Sequence, residues 1–397
     1  MEPTNDSLLK NARFLRLWIG QGTSFLGDAV SMVALVVLVV QVTGTASAVG
    51  GALIARLLPT LASPLAGVIA DRLDRRLILV ASDLARALLV LGLIFARDLA
   101  TIYVLVFFMG LARTVFNPAV RAAFPSVVGA GDLTRANALI GSTFSVSETA
   151  GPALGGLLVA TVGVDAAFVL DAATYLISAV LLSLIPLPRP RREEEEAGFG
   201  EDLRSGFAYL ARSRVPLAIV IGAFLTVLTI NITIPAEVFL ARETFGAGNA
   251  GYGLLVGLYG GGMVLGSALM VALGDRLRLL PLYFFGIFVM ALALVGTGVA
   301  PTFGLALGAL AVVGVANGTE NVATETILQK RVPDAFLGRV FSMRFLGFSV
   351  GEILAYAIGG AIVDASGAPF TYLLAGAATA AAGLVILVVL AIAPDSQ

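Results

Sequence analysis

The 397-residue chain contains no cysteine and no histidine. Without cysteine there is no disulfide framework and no thiolate metal site. Without histidine, a proton exchanged near neutral pH has to be carried by a carboxylate in an unusual environment. Charge is scarce too: 13% of residues are Asp, Glu, Lys or Arg, and the net charge is −1. That balance excludes the basic surface a nucleic-acid partner needs. Lysine is nearly missing, with Lys10 and Lys330 the only two among 25 basic residues. There is no GxxxxGK[ST] loop for a nucleotide, so ATP is not the expected energy source. The opening MEPTNDSLLKNARFLRLW is polar and lacks the apolar core and cleavage site of a signal peptide. No metal site or cofactor is expected.

What remains is apolar. Hydrophobic residues make up 58% of the chain, with a mean hydropathy of +0.96. Soluble domains run nearer half apolar and a quarter charged, so the class is an integral membrane protein. A bilayer crossing takes about 20 apolar residues. Counting such runs predicts twelve helices, near 14–41, 47–70, 77–96, 101–123, 136–162, 166–187, 215–241, 250–273, 280–299, 302–326, 337–364 and 369–393. The glycine-rich stretch 257–266 is a place where a helix would break. One long polar segment separates two sets of six. The expected organisation is a first bundle over 1–187, a linker over 188–214 with an amphipathic surface helix near 201–212, and a second bundle over 215–397.

The two sets are related. Glu148 and Glu352 are 204 residues apart, and that offset also carries Phe144-Ser145-Val146 onto Phe348-Ser349-Val350. The same shift maps Gly155-Gly156 onto Gly359-Gly360, Asn117 onto Asn321, Arg135 onto Arg339, and Asp71-Arg72-Leu73 onto Asp275-Arg276-Leu277. Two parallel six-helix halves are the expectation, an architecture that secondary transporters use with a substrate site near the midplane. Basic residues sort by side. Lys10, Arg13, Arg16, Arg72, Arg75, Arg76, Arg121, Arg135, Arg276, Arg278, Lys330, Arg331 and Arg339 fall with the linker, against Arg97 and Arg242 opposite. By the positive-inside rule both termini are cytoplasmic.

GVIADRLDRR, from Gly67 to Arg76, resembles the loop 2–3 signature of the major facilitator superfamily, and AGPALGG, from Ala150 to Gly156, resembles the helix-5 signature of its proton-coupled antiporters. NARFLRLWIGQGTSFLGDAVSMVAL and AFVLDAATYLISA look like the bacterial drug:proton antiporter branch that contains macrolide efflux pumps and siderophore exporters. The resemblance covers essentially the whole chain. It departs at Ala138 and Ser147, where the antiporter pattern has glycines, and at the degenerate second-half copy GDRLR.

The resemblance implies that helices 1, 4, 7 and 10 line a central cavity and that helices 5 and 11 gate it. Ionisable side chains at bilayer depth are functional candidates by default. Asp28, half-way along the first helix, reads either as a protonatable acid or as a structural acid holding helix 1 to its neighbours. Glu148 and Glu320 join it as proton-coupling candidates. Cavity candidates are Asp28, Arg113, Asn117, Asn231, Glu237, Asn317 and Asn321. Gly67, Asp71, Arg72, Arg75 and Arg76 resemble a cytoplasmic latch. Gly151, Pro152, Gly155 and Gly156, with Glu352 and Gly359 in the second copy, mark tight helix crossings, with Glu148 expected beside one rather than facing lipid. Asp171 and Arg56 read as structural or rim residues, Glu325 as a partner of Lys330 or Arg344. The expectation is a monomeric, multi-pass exporter in a bacterial cytoplasmic (inner) membrane. It would exchange protons for an amphipathic small molecule. A siderophore or lysophospholipid exporter on the same fold is the alternative.

Overall fold

The computed structural model describes residues 8–187, 207–273 and 278–392, and among them every regular element is helical. The predicted surface helix near 201–212 lies mostly outside them. These residues form two compact units, 8–44 with 51–187 and 45–50 with 207–392. The first seven helices in chain order are α1 (Ala12–Thr43), α2 (Ala46–Leu57), α3 (Ser63–Arg72), α4 (Arg75–Leu93), α5 (Leu99–Val128), α6 (Leu133–Thr161) and α7 (Val164–Ser183). Then follow α8 (Arg214–Asn231), α9 (Ile234–Phe239), α10 (Gly248–Leu273), α11 (Leu279–Gly298), α12 (Phe303–Arg331) and α13 (Asp334–Ile392).

Among the described residues eight helical runs are long and apolar enough to cross a membrane: α1, α5, α7, Arg214–Thr244, α10, α11, α12 and Phe336–Ala391. α4 is excluded by Arg75, Arg76, Asp83 and Arg86. α6 is diluted by serine, threonine and glycine.

The 204-residue offset recurs in the backbone. Shifted by it, α4 falls on 279–297 and α5 on 303–332, where α11 and α12 stand. Asp98 caps α5 through the Thr101 amide, and its counterpart Thr302 caps α12 through the Leu305 amide. Gly44 (φ 69°) and Gly163 (φ 112°) have left-handed counterparts in Gly248 (φ 65°) and Gly367 (φ 82°). Side-chain residues rarely adopt that region, so these glycines mark helix boundaries or breaks by conformation: Gly44 caps the end of α1, Gly163 precedes α7, Gly248 opens α10 and Gly367 interrupts α13. Leu88 and its counterpart Leu292 are 72% and 74% exposed. In water such leucines would be a liability, whereas facing hydrocarbon they are at home.

Several expectations about helix continuity change. The helix expected over 47–70 is broken: α2 gives way to a 3₁₀ turn at Leu58–Ala62 and restarts as α3. Proline stands in the first turn of both later pieces, Pro59 and Pro64, where its missing N–H ends one ladder and starts the next. The helices expected at 337–364 and 369–393 are continuous except at Gly367, whose ψ of 164° takes it out of the helix. The glycine-rich stretch 257–266 does not break α10. A β-carbon on Gly262 or Gly266 would lie 2.4 Å from the Ala311 carbonyl or 2.1 Å from that of Val315, so these glycines let α12 close in on an intact helix.

In the first unit α1 packs on α6 and α7, and α4 on α5 and α7. Phe14, Leu17, Leu79, Phe116, Leu182 and Ile185 form its core. In the second unit α10 packs on α12, α8 on α13, and α11 on both α12 and α13. Its core holds Ile219, Tyr283, Ile287, Leu328, Val340 and Ile386.

Candidate functional site

The first unit concentrates its buried polarity between α1 and α7. Gln21, Ser24, Asp28 and Ser31 are all buried, and their spacing of three, four and three residues puts them on one face of α1. Asp171, Thr174, Tyr175 and Ser178 form the matching stripe on α7, also buried. Glycine makes the two stripes meet. A β-carbon on Gly27 would lie 2.2 Å from Thr174 Oγ1 and 2.6 Å from Asp171 Oδ1, and one on Gly20 would lie 3.4 Å from Ser178 Oγ.

At the centre is Asp28. The Tyr175 hydroxyl donates to Asp28 Oδ1 at 2.5 Å, and Arg56 Nη2 approaches the same oxygen at 3.7 Å. Arg113 and Arg86 also act on Asp28 electrostatically. Asp83 and Arg86 of α4 form a fully buried ion pair through Asp83 Oδ1. The Arg86 guanidinium lies 4.5 Å from the Phe116 ring centroid and 4.4 Å from that of Tyr175. Each charge at bilayer depth costs about 2.5–3.5 kcal/mol on insertion scales, so pairing and stacking are what keep four of them inside one bundle.

The helix-5 glycines sit where the spacing placed them. A β-carbon on Gly151 would lie 2.4 Å from Ala29 Cβ, and one on Gly155 2.8 Å from the Val30 carbonyl, so α1 and α6 cross there. Gly156 and Pro152 are buried, and α6 runs on through the proline. Glu148 is exposed, while its neighbour Ser147 is buried. The face that α1 covers passes through Thr143, close to Gly22, and Phe144, whose ring meets Phe25 edge-on at 5.2 Å. One further turn along are Ser147 and Glu148. Arg113, Arg56 and Asp28 still act on it electrostatically. Arg113 is half-buried and Asn117 exposed.

Of the latch residues, Gly67 is half-buried, Arg72 and Arg76 are exposed, and the side chain of Asp71 lies outside the described part. Arg75 Nη1 donates to the Ala122 carbonyl at 3.0 Å, tying the start of α4 to α5. The acid that caps α4 is Asp74, through the amides of Arg76 and Leu77.

In the second unit the helix expected over 215–241 is interrupted between α8 and α9, after half-buried Asn231 and before Pro235. Glu237 is buried just before a π-helical turn, Leu240–Thr244, with Tyr252, Tyr259 and Tyr372 in electrostatic reach. Asn317 is buried. It accepts from the Tyr259 hydroxyl at 3.2 Å and from Asn321 Nδ2 at 3.1 Å. Glu320 is buried, accepting from Thr324 Oγ1 at 2.7 Å. Glu325 pairs with Arg344 at 2.5 Å. Glu352 is half-buried and accepts from the Tyr356 hydroxyl at 3.3 Å. A β-carbon on Gly359 would lie 2.3 Å from the Ile232 carbonyl. A separate cavity of about 220 Å³, lined by Leu269, Leu282, Phe285, Val312 and Thr319 among others, touches none of the candidate polar residues.

Sequence reasoning missed Asp83, Arg86 and Tyr175. The heptad-like polar stripes on α1 and α7 were the available signal for Tyr175. For the α4 pair the signal was two opposite charges three residues apart inside an apolar run.

Helical runs of this length, apolar outside and polar between helices, are those of an integral membrane protein. The family of transmembrane secretion effectors, a branch of the major facilitator superfamily, matches residues 5–396, and the chain belongs to it. Macrolide efflux protein A of Streptococcus pyogenes is 23% identical over 95% of this chain and 95% of its own length. Enterobactin exporter EntS of Escherichia coli is 29% identical over 82% of this chain and 77% of its own. Among solved structures, a bacterial homologue of the iron transporter ferroportin in an inward-facing state aligns with a TM-score of 0.78 at 14% identity. It covers 97% of this chain and all (100%) of that one. At that identity the likeness is one of fold.

Proposed function

We propose that this multi-pass transporter is a proton-coupled exporter of amphipathic or lipophilic small molecules. In this reading twelve membrane helices form two halves, 1–187 and 215–397, joined by a cytoplasmic linker over 188–214, with both termini cytoplasmic. The halves rock about helices 5 and 11 to alternate access in the bacterial inner membrane, the latch of Gly67, Asp71, Arg72, Arg75 and Arg76 holding one state. The chain works as a monomer.

The observation that carries the reading is Asp28: a buried carboxylate in a histidine-free protein, held by Tyr175 at 2.5 Å and faced by Arg56 at 3.7 Å. A proton on Asp28 removes the charge that Arg56 and Arg113 answer, and it changes conformer populations as far as it binds one conformer more tightly. Glu148 and Glu320 are the secondary proton candidates. Arg113, Asn117, Asn231, Glu237, Asn317 and Asn321 are the cavity candidates. The exporters of a macrolide and of a siderophore among the relatives support efflux of a small organic molecule.

The test is dye efflux and proton flux in proteoliposomes, for wild type and Asp28→Asn. Loss of coupled flux in the variant is expected; unchanged transport with unchanged pH dependence removes Asp28 from the mechanism. The arginines Arg56 and Arg113 beside Asp28 favour one second reading, an anionic or zwitterionic cargo such as a siderophore or lysophospholipid. Under it, Arg113→Gln abolishes transport while Asp28→Asn does not.

A further inference from the structure

We propose that Tyr175 and the Asp83–Arg86 pair are a positioning relay for Asp28, joining α4 and α7 to the protonatable site from inside the first unit. The inference rests on the reading of Asp28 given above and extends it to three side chains with no place in the cavity or the gate.

The geometry is a chain of contacts. Asp83 Oδ1 binds Arg86. Arg86 lies between the rings of Phe116 and Tyr175, 4.5 and 4.4 Å from their centroids. The Tyr175 hydroxyl donates to Asp28 at 2.5 Å. Each member is almost fully buried: Asp83 0%, Arg86 3%, Tyr175 1% and Asp28 8% exposed. A guanidinium held by Asp83 and packed over the ring of Tyr175 fixes that ring, and the ring fixes where its hydroxyl meets the carboxylate. When Asp28 gains a proton the phenol loses the anion it donates to, and Arg86 and Asp83 feel the change through the ring.

The repeat shows that the fold does not require these charges. Under the 204-residue offset Asp83, Arg86, Asp171 and Tyr175 correspond to Ile287, Met290, Ala375 and Thr379. All four counterparts are fully buried, at 0% exposure each. The second unit therefore closes the same helix junctions with two large apolar residues, an alanine and a threonine. A buried ion pair is often no more stabilising than well-packed apolar residues of similar volume, so packing does not explain it. What differs between the copies is where the acid stands: Asp28 has Ile232 as its counterpart, and the buried carboxylate of the second unit, Glu320, stands at the counterpart of Phe116.

Charged or titratable groups reach Asp28 from every packed element of its unit: Arg56 on α2, Asp83 and Arg86 on α4, Arg113 on α5, Glu148 on α6, and Asp171 with Tyr175 on α7. Of these, Asp83 Oδ2, Arg86 Nε and Asp171 Oδ2 are buried without a hydrogen bond. The relay is the route by which α4 enters this set.

The chain supplies its own probe. Trp18 is the single tryptophan, stands on α1, and donates from Nε1 to Thr143 Oγ1 of α6 at 2.9 Å. With no histidine, a change in its emission between about pH 3 and 9 reports carboxylates or the terminal amine. The measurement is Trp18 emission against pH for the full chain in liposomes, carrying no polyhistidine tag. Wild type is expected to titrate, and Asp28→Asn to remove the component that Asp28 contributes. Tyr175→Phe, and the double variant Asp83→Ile with Arg86→Met that installs the residues of the second unit, are each expected to move the midpoint by about one pH unit. They should melt within a few degrees of wild type. A flat wild-type curve, or one unchanged in Asp28→Asn, overturns the reading of Asp28 and the relay with it. A component lost in Asp28→Asn but kept at the wild-type midpoint in both relay variants overturns the relay alone. Should the double variant not fold, the midpoint of Tyr175→Phe, which removes one hydroxyl, decides.

Discussion

Asp98 accepts from the Thr101 amide at 2.9 Å and from its hydroxyl at 2.7 Å. The amide bond, first among the causes, holds this carboxyl below its ordinary range. A depressed folded value means that the ionised cap stabilises at neutral pH, and that this stability fades as pH falls through the folded value. Asp98→Ala is therefore expected to lower the melting temperature at pH 7 and to converge with wild type in acid, which a melting series over pH checks. Gly27 makes the opposite kind of prediction, steric and indifferent to pH. Its place against Thr174 and Asp171 leaves no room for a side chain, so Gly27→Leu is expected to cost a few kcal/mol, read from thermal unfolding in detergent. At this scale the sequence exposed Asp28 because an isolated acid in an apolar helix stands out. It hid the partners. Whether Glu148 or Ser147 faces α1 turns on one residue of rotation, about 100° of helix, and spacing from the glycines does not resolve that.

Among elements, the breaks carry the information. Gly163 and Gly367 hold counterpart left-handed conformations at φ 112° and 82°. With ψ at 172° and 164°, both lie in a region that is essentially confined to glycine, and alanine at either costs about 1–3 kcal/mol. Gly163→Ala and Gly367→Ala are expected to destabilise by similar amounts and additively, since they lie in separate units, and denaturation of the single and double variants measures it. Helix existence was legible from apolar length. Continuity was not: prolines at 59 and 64 broke one predicted helix, whereas the glycine-rich stretch of α10 stayed whole. The difference is contact, because Gly262 and Gly266 are answered by the backbone of α12, which restores the packing a glycine forfeits.

For the molecule as a whole, the absence of cysteine is an experimental asset. Single cysteines can be placed at Asp98, in the loop predicted outside, and at Lys330, predicted inside. An impermeant maleimide on intact cells is expected to label the first and to reach the second only after permeabilisation. Equal labelling of both would overturn the assigned orientation. Together with Asp28→Asn in proteoliposomes, this places both the topology and the coupling under direct measurement.

Composition, the apolar runs and the 204-residue offset were enough to determine a helical membrane protein made of two copies of one plan. These properties are written locally, as hydropathy over about 20 residues and as identity at a fixed distance. The tertiary structure alone decided which buried charges meet. Asp28, Arg86 and Tyr175 stand on three helices up to 147 residues apart, and their contact depends on glycines that let α1 and α7 approach. That closeness is set by the rotation and packing of whole helices, which no local stretch of sequence records.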